Sequence, residues 1–336
     1  MDTVTGVLLV NLGTPKSPKP IDVYRYLIEF LTDPRVMDIP WLKRQLLVRG
    51  VIVPARFRQS AKSYQVIWTA EGSPLLVYGK KVKEKLQQTL GKDYIVELAM
   101  RYQEPSLSGA IASLMERGVG RLIVLPLFPQ YASATTGSVH QRVLEEISRY
   151  QVIPHLKLIS QFATDIHVIQ AFCSTAAGFV LSDYDHVLFS FHGLPERHLR
   201  QLSSKCLCDV KCCTQVKKEN KNCYSAQCYA TASKIAEGLG LDSARYSISF
   251  QSRLGKDPWL QPYTSEVIAN LAKQGKKRVL VFCPSFVCDC LETIHEIGVE
   301  YNHEFMKLGG EKLELVPGLN DHPDWIFALK QLIIKF

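Results

Sequence analysis

The chain has 336 residues, 46% of them apolar and 21% charged, with a formal net charge of +8 at pH 7. This is a globular composition, so a disordered or fibrous chain is excluded, and the length exceeds the roughly 250–300 residues at which single cores stop growing, which predicts two domains. No stretch approaches the ~18 consecutive apolar residues of a membrane span. The positive surplus suits an anionic substrate, an acidic membrane surface or nucleic acid, and nothing in the chain reads as a nucleic-acid module.

The opening apolar run, Gly6–Leu12, has no basic segment before it and no small-residue cleavage site after it, so it reads as a strand rather than a secretory signal. Ten cysteines in such a chain point to reduced thiols or metal ligands rather than a disulfide framework, with the cytoplasm as the expected compartment. Along the chain, strands are predicted at Gly6–Leu12, Tyr94–Met100, Arg121–Leu127, Leu156–Gln161, His186–Phe191, Arg245–Phe250, Arg278–Cys283 and Leu313–Val316. Helices are predicted between them at Ile21–Leu31, Leu75–Leu90, Ser106–Arg117, Val139–Arg149, Ile166–Val180, Tyr224–Leu239, Pro262–Lys273 and Glu292–Leu308. Short Val/Ile/Leu runs alternating with amphipathic segments are the pattern of parallel strands buried on both faces by helices. Eight such strands can close into one barrel or split into two open sheets. The long segment Thr32–Tyr64 and the irregular insertion Gln201–Asn222 favour two sheets.

In open α/β sheets ligands sit outside the carboxyl ends of the strands. The residues there are polar or turn-forming: Asn11–Pro15, Arg101-Tyr102, Pro126–Tyr131 with Thr135–Ser138, Ser190–Pro195, Gln251–Arg253 and Pro284–Phe286. His192 directly follows a strand, and an imidazole can take up a proton near neutral pH or ligate a metal; the plainer alternative is a histidine that caps the strand. Glu292, Glu296 and Glu300 recur every four residues, which on an α-helix makes a row of like charges about 6 Å apart. Such a row repels itself, so it suits proton relay or the passage of a divalent cation better than helix stability, the alternative being a solvated acidic face.

Six of the ten cysteines, Cys206, Cys208, Cys212, Cys213, Cys223 and Cys228, fall within 23 residues. Thiolates at this density point to a soft metal centre, and the absence of paired C-x-x-C spacing favours an iron–sulfur cluster over zinc. Between Phe30 and Phe57, apolar residues interleave with Lys43, Arg44, Arg49 and Arg56, which suits a lip lying on anionic lipid or gripping a flat apolar ligand with acidic edges. An ordinary helix with a basic outer face is the alternative. No G-x-G-x-x-G follows a strand, so no nucleotide site is expected.

These residues together resemble the ferrochelatase family. The resemblance rests on Leu9–Pro15, Gly72–Leu75, Arg101-Tyr102, Phe128–Tyr131 with Thr135–Ser138, Phe189–Pro195, Ser249–Arg253, Trp259–Thr264 and Asp289–Thr293, and it runs from about residue 5 to the last helix. It implies an α/β protein of two Rossmann-like domains, each a parallel sheet flanked by helices, with the porphyrin in the cleft between them and the last helix returning to the first domain. The domains are placed at 1–145 plus 318–336 and at 146–317, with a cysteine-rich insertion at about 201–223, as in some bacterial members.

The implied reaction is insertion of Fe²⁺ into protoporphyrin IX with release of two protons, the terminal step of haem formation. By motif, His192 and Glu292 are the catalytic and iron-contacting pair, with His192 as proton acceptor and Glu292 guiding the metal. Glu296 and Glu300 form the relay behind them. Arg101, Tyr102, Tyr131 and Ser138 are expected to contact the porphyrin. Members using coproporphyrin carry a tyrosine where this chain has Leu12, and the lip of the protohaem-forming branch touches the membrane, so both features favour protoporphyrin.

The cysteine segment resembles the insertion that binds a two-iron two-sulfur cluster, with Cys206, Cys212, Cys213 and Cys223 as expected ligands and Cys208 as competitor. The expected location is cytoplasmic, at the inner face of the cell membrane. The alternatives are a chelatase for coproporphyrin or cobalt and a non-catalytic haem or iron–sulfur sensor. A sensor has no need of both His192 and the full glutamate row.

Overall fold

The computed structural model describes residues 4–202, 206, 210–255 and 257–335. The chain divides into two units, one formed by the residues up to Phe128, by Ala132–Gln161 and by Ile326 onward, the other by Pro129–Tyr131 and Phe162–Trp325. In the first unit, strands β1 (Thr5–Gly13), β2 (Tyr94–Tyr102), β3 (Arg121–Pro126) and β4 (His155–Leu158) form a parallel sheet in the order β2-β1-β3-β4. In the second, β5 (His186–His192), β6 (Tyr246–Gln251), β7 (Arg278–Phe282) and β8 (Lys312–Leu315) repeat that order as β6-β5-β7-β8, again all parallel.

The alternation of apolar runs and helices thus builds two open sheets rather than a barrel. Val7–Val10 of β1 and Val187–Phe189 of β5 are completely buried, as central parallel strands covered on both faces must be. The division falls after Gln161 rather than near residue 145, because β4 pairs with β3 and extends the first sheet. The chain returns to the first unit at Ile326 rather than near 318, inside the helix Pro323–Ile334.

The segment Thr32–Tyr64, where a lip was expected and an ordinary helix was the alternative, is largely helical. Trp41–Leu47 runs through one π-turn, Val48–Ile52, into Val53–Ile67. Val48 and Val53 are buried with Ile28 and Leu31 of the helix Pro20–Leu31. Trp41, Leu42, Leu46 and Val51 are instead exposed by 59–66%. Arg44, expected among the basic residues of the lip, turns inward, where its Nη1 donates to the carbonyls of Met37 at 3.3 Å and Ile39 at 2.7 Å. Lys43, Arg49 and Arg56 remain outside.

The helix predicted over Glu292–Leu308 is not a uniform α-helix. Leu291–Tyr301 is a π-helix and only Asn302–Lys307 is α. Runs of i→i+5 bonding are rare and recur at functional sites. Among the described residues, no helix is long and apolar enough to cross a membrane.

Candidate active site

In a sheet of this order the chain reverses direction between β5 and β7, the place where open α/β sheets bind ligands. His192 ends β5 and Ser285 follows β7, and the two meet there: the His192 N–H donates to Ser285 Oγ at 3.3 Å. The Tyr224 hydroxyl donates to the His192 carbonyl at 2.8 Å and lies 2.9 Å from Ser285 Oγ. Three groups therefore form a closed ring around the main chain of His192. The next residue is glycine because β6 comes close, and a Cβ on Gly193 would stand 2.8 Å from the Gln251 carbonyl oxygen.

His192 Nδ1 lies 2.6 Å from the Gly193 carbonyl oxygen. A carbonyl can only accept, so Nδ1 is the ring nitrogen that donates, and Nε2 is the one left to other partners. The ring stands between Trp259 and Phe286, at 6.4 and 6.2 Å between centroids.

Glu296 is held by donors from the end of β6. Ser252 donates from its backbone N to Oε1 at 2.9 Å and from Oγ to Oε2 at 2.6 Å, and Gln251 Nε2 reaches Oε2 at 3.2 Å. Ser252 adopts φ +65° to do so, a conformation costly for a residue with a Cβ and concentrated at functional sites. Burial pushes the Glu296 carboxyl above the usual carboxylate range and neighbouring Glu292 adds to this, while the Ser252 and Gln251 bonds and the charge of His192 oppose it.

The π-helix starts from a fixed base. Asp289 accepts Thr293 Oγ1 at 3.0 Å, Gly318 N at 3.1 Å and Asn320 Nδ2 at 2.7 Å. The glutamate row is unequal along this helix. An i→i+5 turn takes more residues than the 3.6 of an α-turn, and the row passes from half-buried Glu292 and Glu296 to exposed Glu300, which lies 3.6 Å from His295 Nδ1.

In the first unit, Arg101, Tyr102 and Ser138 come together around a carboxylate that the sequence reading did not single out. Asp33 Oδ2 accepts Arg101 Nη2 at 2.6 Å, the Tyr102 hydroxyl at 2.9 Å and Ser138 Oγ at 2.5 Å, and Oδ1 accepts the Arg35 N–H at 2.7 Å. Arg101 also donates from Nε to Ser138 Oγ at 2.7 Å and covers the Tyr102 ring. Tyr102 is fully buried, and burial with the nearby Asp33 charge pushes its phenol far up. Arg101 is the member that keeps some exposure, 17% of its side chain. Tyr131 belongs to the second unit, where its N–H donates to Gln227 Oε1 at 2.7 Å.

Of the expected cluster ligands, Cys213 and Cys223 are hydrogen-bonded thiol to thiol. That bond, with the backbone N–H groups of Ala226 and Ser225, holds the Cys223 thiol down to about 6, while the same bond, burial and the nearby Cys212 push Cys213 up. Among the described residues, no three of His, Cys, Asp and Glu stand as they would around a metal ion. Cys206 is described, and Cys208 lies outside the described residues.

Comparison with known proteins yields one family and one fold. Residues 4–335 match the family model described as Ferrochelatase. The chain is 44% identical over 328 residues to a protein named ferrochelatase of Legionella pneumophila (strain Lens), covering 98% of each chain. It is 45% identical over 336 residues to one of Coxiella burnetii (strain Dugway 5J108-111), covering 98% of this chain and 93% of that one. Among solved structures, SirB from Bacillus subtilis with Fe3+ matches with a TM-score of 0.56 at 12% identity, covering 98% of this chain and 94% of that one, a likeness of fold.

Proposed function

The chain belongs to the ferrochelatase family, as an enzyme that inserts Fe²⁺ into protoporphyrin to make haem, and from that premise we propose how its own residues perform the insertion. Two pyrrole N–H bonds break, bonds from iron to the ring nitrogens form, two protons leave and no electron is transferred. The chain must therefore supply a proton acceptor and a path for a dication.

His192 is the acceptor. The observation that carries this assignment is the Nδ1 bond to the Gly193 carbonyl, which leaves Nε2 as the ring nitrogen through which a proton is exchanged, at the carboxyl end of the second sheet. Glu292 guides the iron, an oxygen ligand suited to a hard dication, with Glu296 and Glu300 behind it as the relay. The electrostatic interaction of His192 with Glu296, and of Glu296 with Glu292, supports a single proton-and-metal site. Arg101 and Tyr131 contact the porphyrin, whereas Tyr102 and Ser138 act by holding Asp33 and Arg101. Leu12, at the position where coproporphyrin users carry tyrosine, supports protoporphyrin IX as substrate. The exposed Trp41, Leu42 and Leu46 support a peripheral seat on the inner face of the cell membrane, with the rest of the chain in the cytoplasm.

A two-iron two-sulfur cluster would be held by Cys206, Cys212, Cys213 and Cys223. The donor chemistry fits in that the bond from Cys213 holds the Cys223 thiol down, toward the thiolate form a cluster needs. Such a cluster would cross-link the segment around thiolate sulfur; because insertion moves no electron, no step runs through it.

The test is anaerobic Fe²⁺ insertion into protoporphyrin IX, followed as loss of porphyrin fluorescence and gain of haem absorbance. Turnover in the wild type that disappears in His192→Ala, with porphyrin still bound, supports His192 as the base. Turnover that survives moves the acceptor to the glutamate row.

A further inference from the structure

Behind the glutamate row, four polar side chains are sealed between the second sheet and the helix Thr264–Lys273 with almost no exposure: Ser190, Ser249, Gln251 and Thr264 are each at most 1% exposed. Gln251 has a partner in every direction. Its Oε1 accepts Ser190 Oγ at 2.7 Å and the Cys283 thiol at 3.8 Å, and its Nε2 donates to the Glu292 carbonyl at 2.8 Å and to Glu296 Oε2 at 3.2 Å. An amide has two acceptor positions and two donor hydrogens, and these four contacts use all of them in one orientation.

The Glu292 carbonyl and the Glu296 carboxylate fix that orientation, and it sets the direction of the hydroxyls behind it. Ser190 spends its hydrogen on Gln251, so across the 3.0 Å contact it must accept from Thr264, which across 2.8 Å accepts from Ser249. Reversing the amide would set Oε1 against a carbonyl and a carboxylate, which only accept. A buried network of this kind, fully satisfied, fixes one arrangement.

Resting on the reading of Glu292 and Glu296 as the iron-guiding row, we infer that Gln251 is the positioning residue of that row. Its one amide ties the main chain at Glu292 to the side chain at Glu296, so it sets the spacing of the two carboxylates one turn apart on a π-helix. Its effect is on the capture of Fe²⁺ and not on the porphyrin.

The experiment compares full-length Gln251→Leu and Ser190→Ala with the wild type, varying Fe²⁺ at saturating porphyrin and measuring porphyrin Kd by fluorescence quenching. Losing a hydrogen bond to a charged group is expected to raise the KM for Fe²⁺ about tenfold in Gln251→Leu. Ser190→Ala should raise it less, and porphyrin Kd should be unchanged in both. A residue that merely supports the fold would lower the melting temperature and the active fraction while leaving the iron KM alone. The inference is overturned by an iron KM within twofold of wild type in folded Gln251→Leu, or in Ser190→Ala where the former does not accumulate, and equally by a matching rise in porphyrin Kd. Glu296→Gln separates this result from the premise. A wild-type iron KM in that variant removes the acid row from the mechanism, whereas an altered one beside an unaltered Gln251→Leu removes only Gln251.

Discussion

The Tyr224 hydroxyl donates to the main-chain carbonyl of His192 at 2.8 Å. Tyr224 is the first residue of the helix Tyr224–Gly238, directly after Cys223. One side chain therefore ties the end of the cysteine-rich segment to the proposed base. Tyr224→Phe removes the donor and leaves a half-buried carbonyl unpaired, at a cost of about 1–3 kcal/mol. The peptide that aims the imidazole is then free to move, so kcat is expected to fall about tenfold with little change in porphyrin Kd. Equal kcat in the variant would show that Ser285 alone suffices to hold His192.

Asp33 is the hub of the first unit's polar cluster, with Arg101, Tyr102 and Ser138 all on Oδ2. Asp33→Asn leaves a largely buried guanidinium without its counter-charge, expected to cost about 3 kcal/mol. Chemical denaturation of the wild type and the variant measures this. The double variant with Arg101→Met should recover part of the loss, since no orphan charge then remains. Porphyrin affinity should fall in both, because Arg101 is the exposed member of the cluster.

Much of this architecture was legible beforehand, for identifiable reasons. Central strands buried on both faces leave unbroken apolar runs, and the half-buried edge strands β4 and β8 still show alternating leucines, so all eight registered in the sequence, and His192 was marked by its place at a strand end. β4 was visible as a strand, but pairing partners leave no trace in a single apolar run, so the division was set about one strand too early. The π-helix was illegible because glutamates every four residues fit an α-turn equally well, and the i→i+5 backbone bonding that distinguishes the two leaves no residue pattern. Asp33 carried no signal at all. Leu-Thr-Asp-Pro after a helix reads as a solvated turn, and nothing local announces an arginine 68 positions away. Arg44 misled for the opposite reason, since its charge placed it outside while the carbonyls of Met37 and Ile39 accept it inside.

The lip predicts a membrane measurement. Trp41, Leu42 and Leu46 expose 66%, 61% and 66% of their surfaces, and burying an apolar side chain of this size contributes about 1.5–3 kcal/mol. Co-sedimentation with vesicles containing anionic phosphatidylglycerol should be strong for the wild type and weaken as salt screens Lys43, Arg49 and Arg56. Replacing all three apolar residues by serine should abolish it, with insertion into detergent-solubilised porphyrin retained. Binding unaffected by the triple replacement would place the membrane contact elsewhere.

His186, at the start of β5, predicts the pH dependence of stability. Burial, with the charges of Lys276 and Arg245, holds its imidazole down to about 4, and its Nε2 lies 2.9 Å from Ser247 Oγ. In the unfolded chain the same ring titrates near its ordinary value of about 6.5, so between these two values the unfolded state binds the extra proton. Stability is therefore full above about pH 6.5 and is lost as pH falls toward 4, by up to about 3 kcal/mol if the whole shift is expressed. His186→Gln keeps a polar partner for Ser247 and cannot protonate. Melting temperatures at pH 7.5 and pH 5.0 should thus separate more for the wild type than for this variant. An identical drop in both would assign the acid sensitivity to other groups.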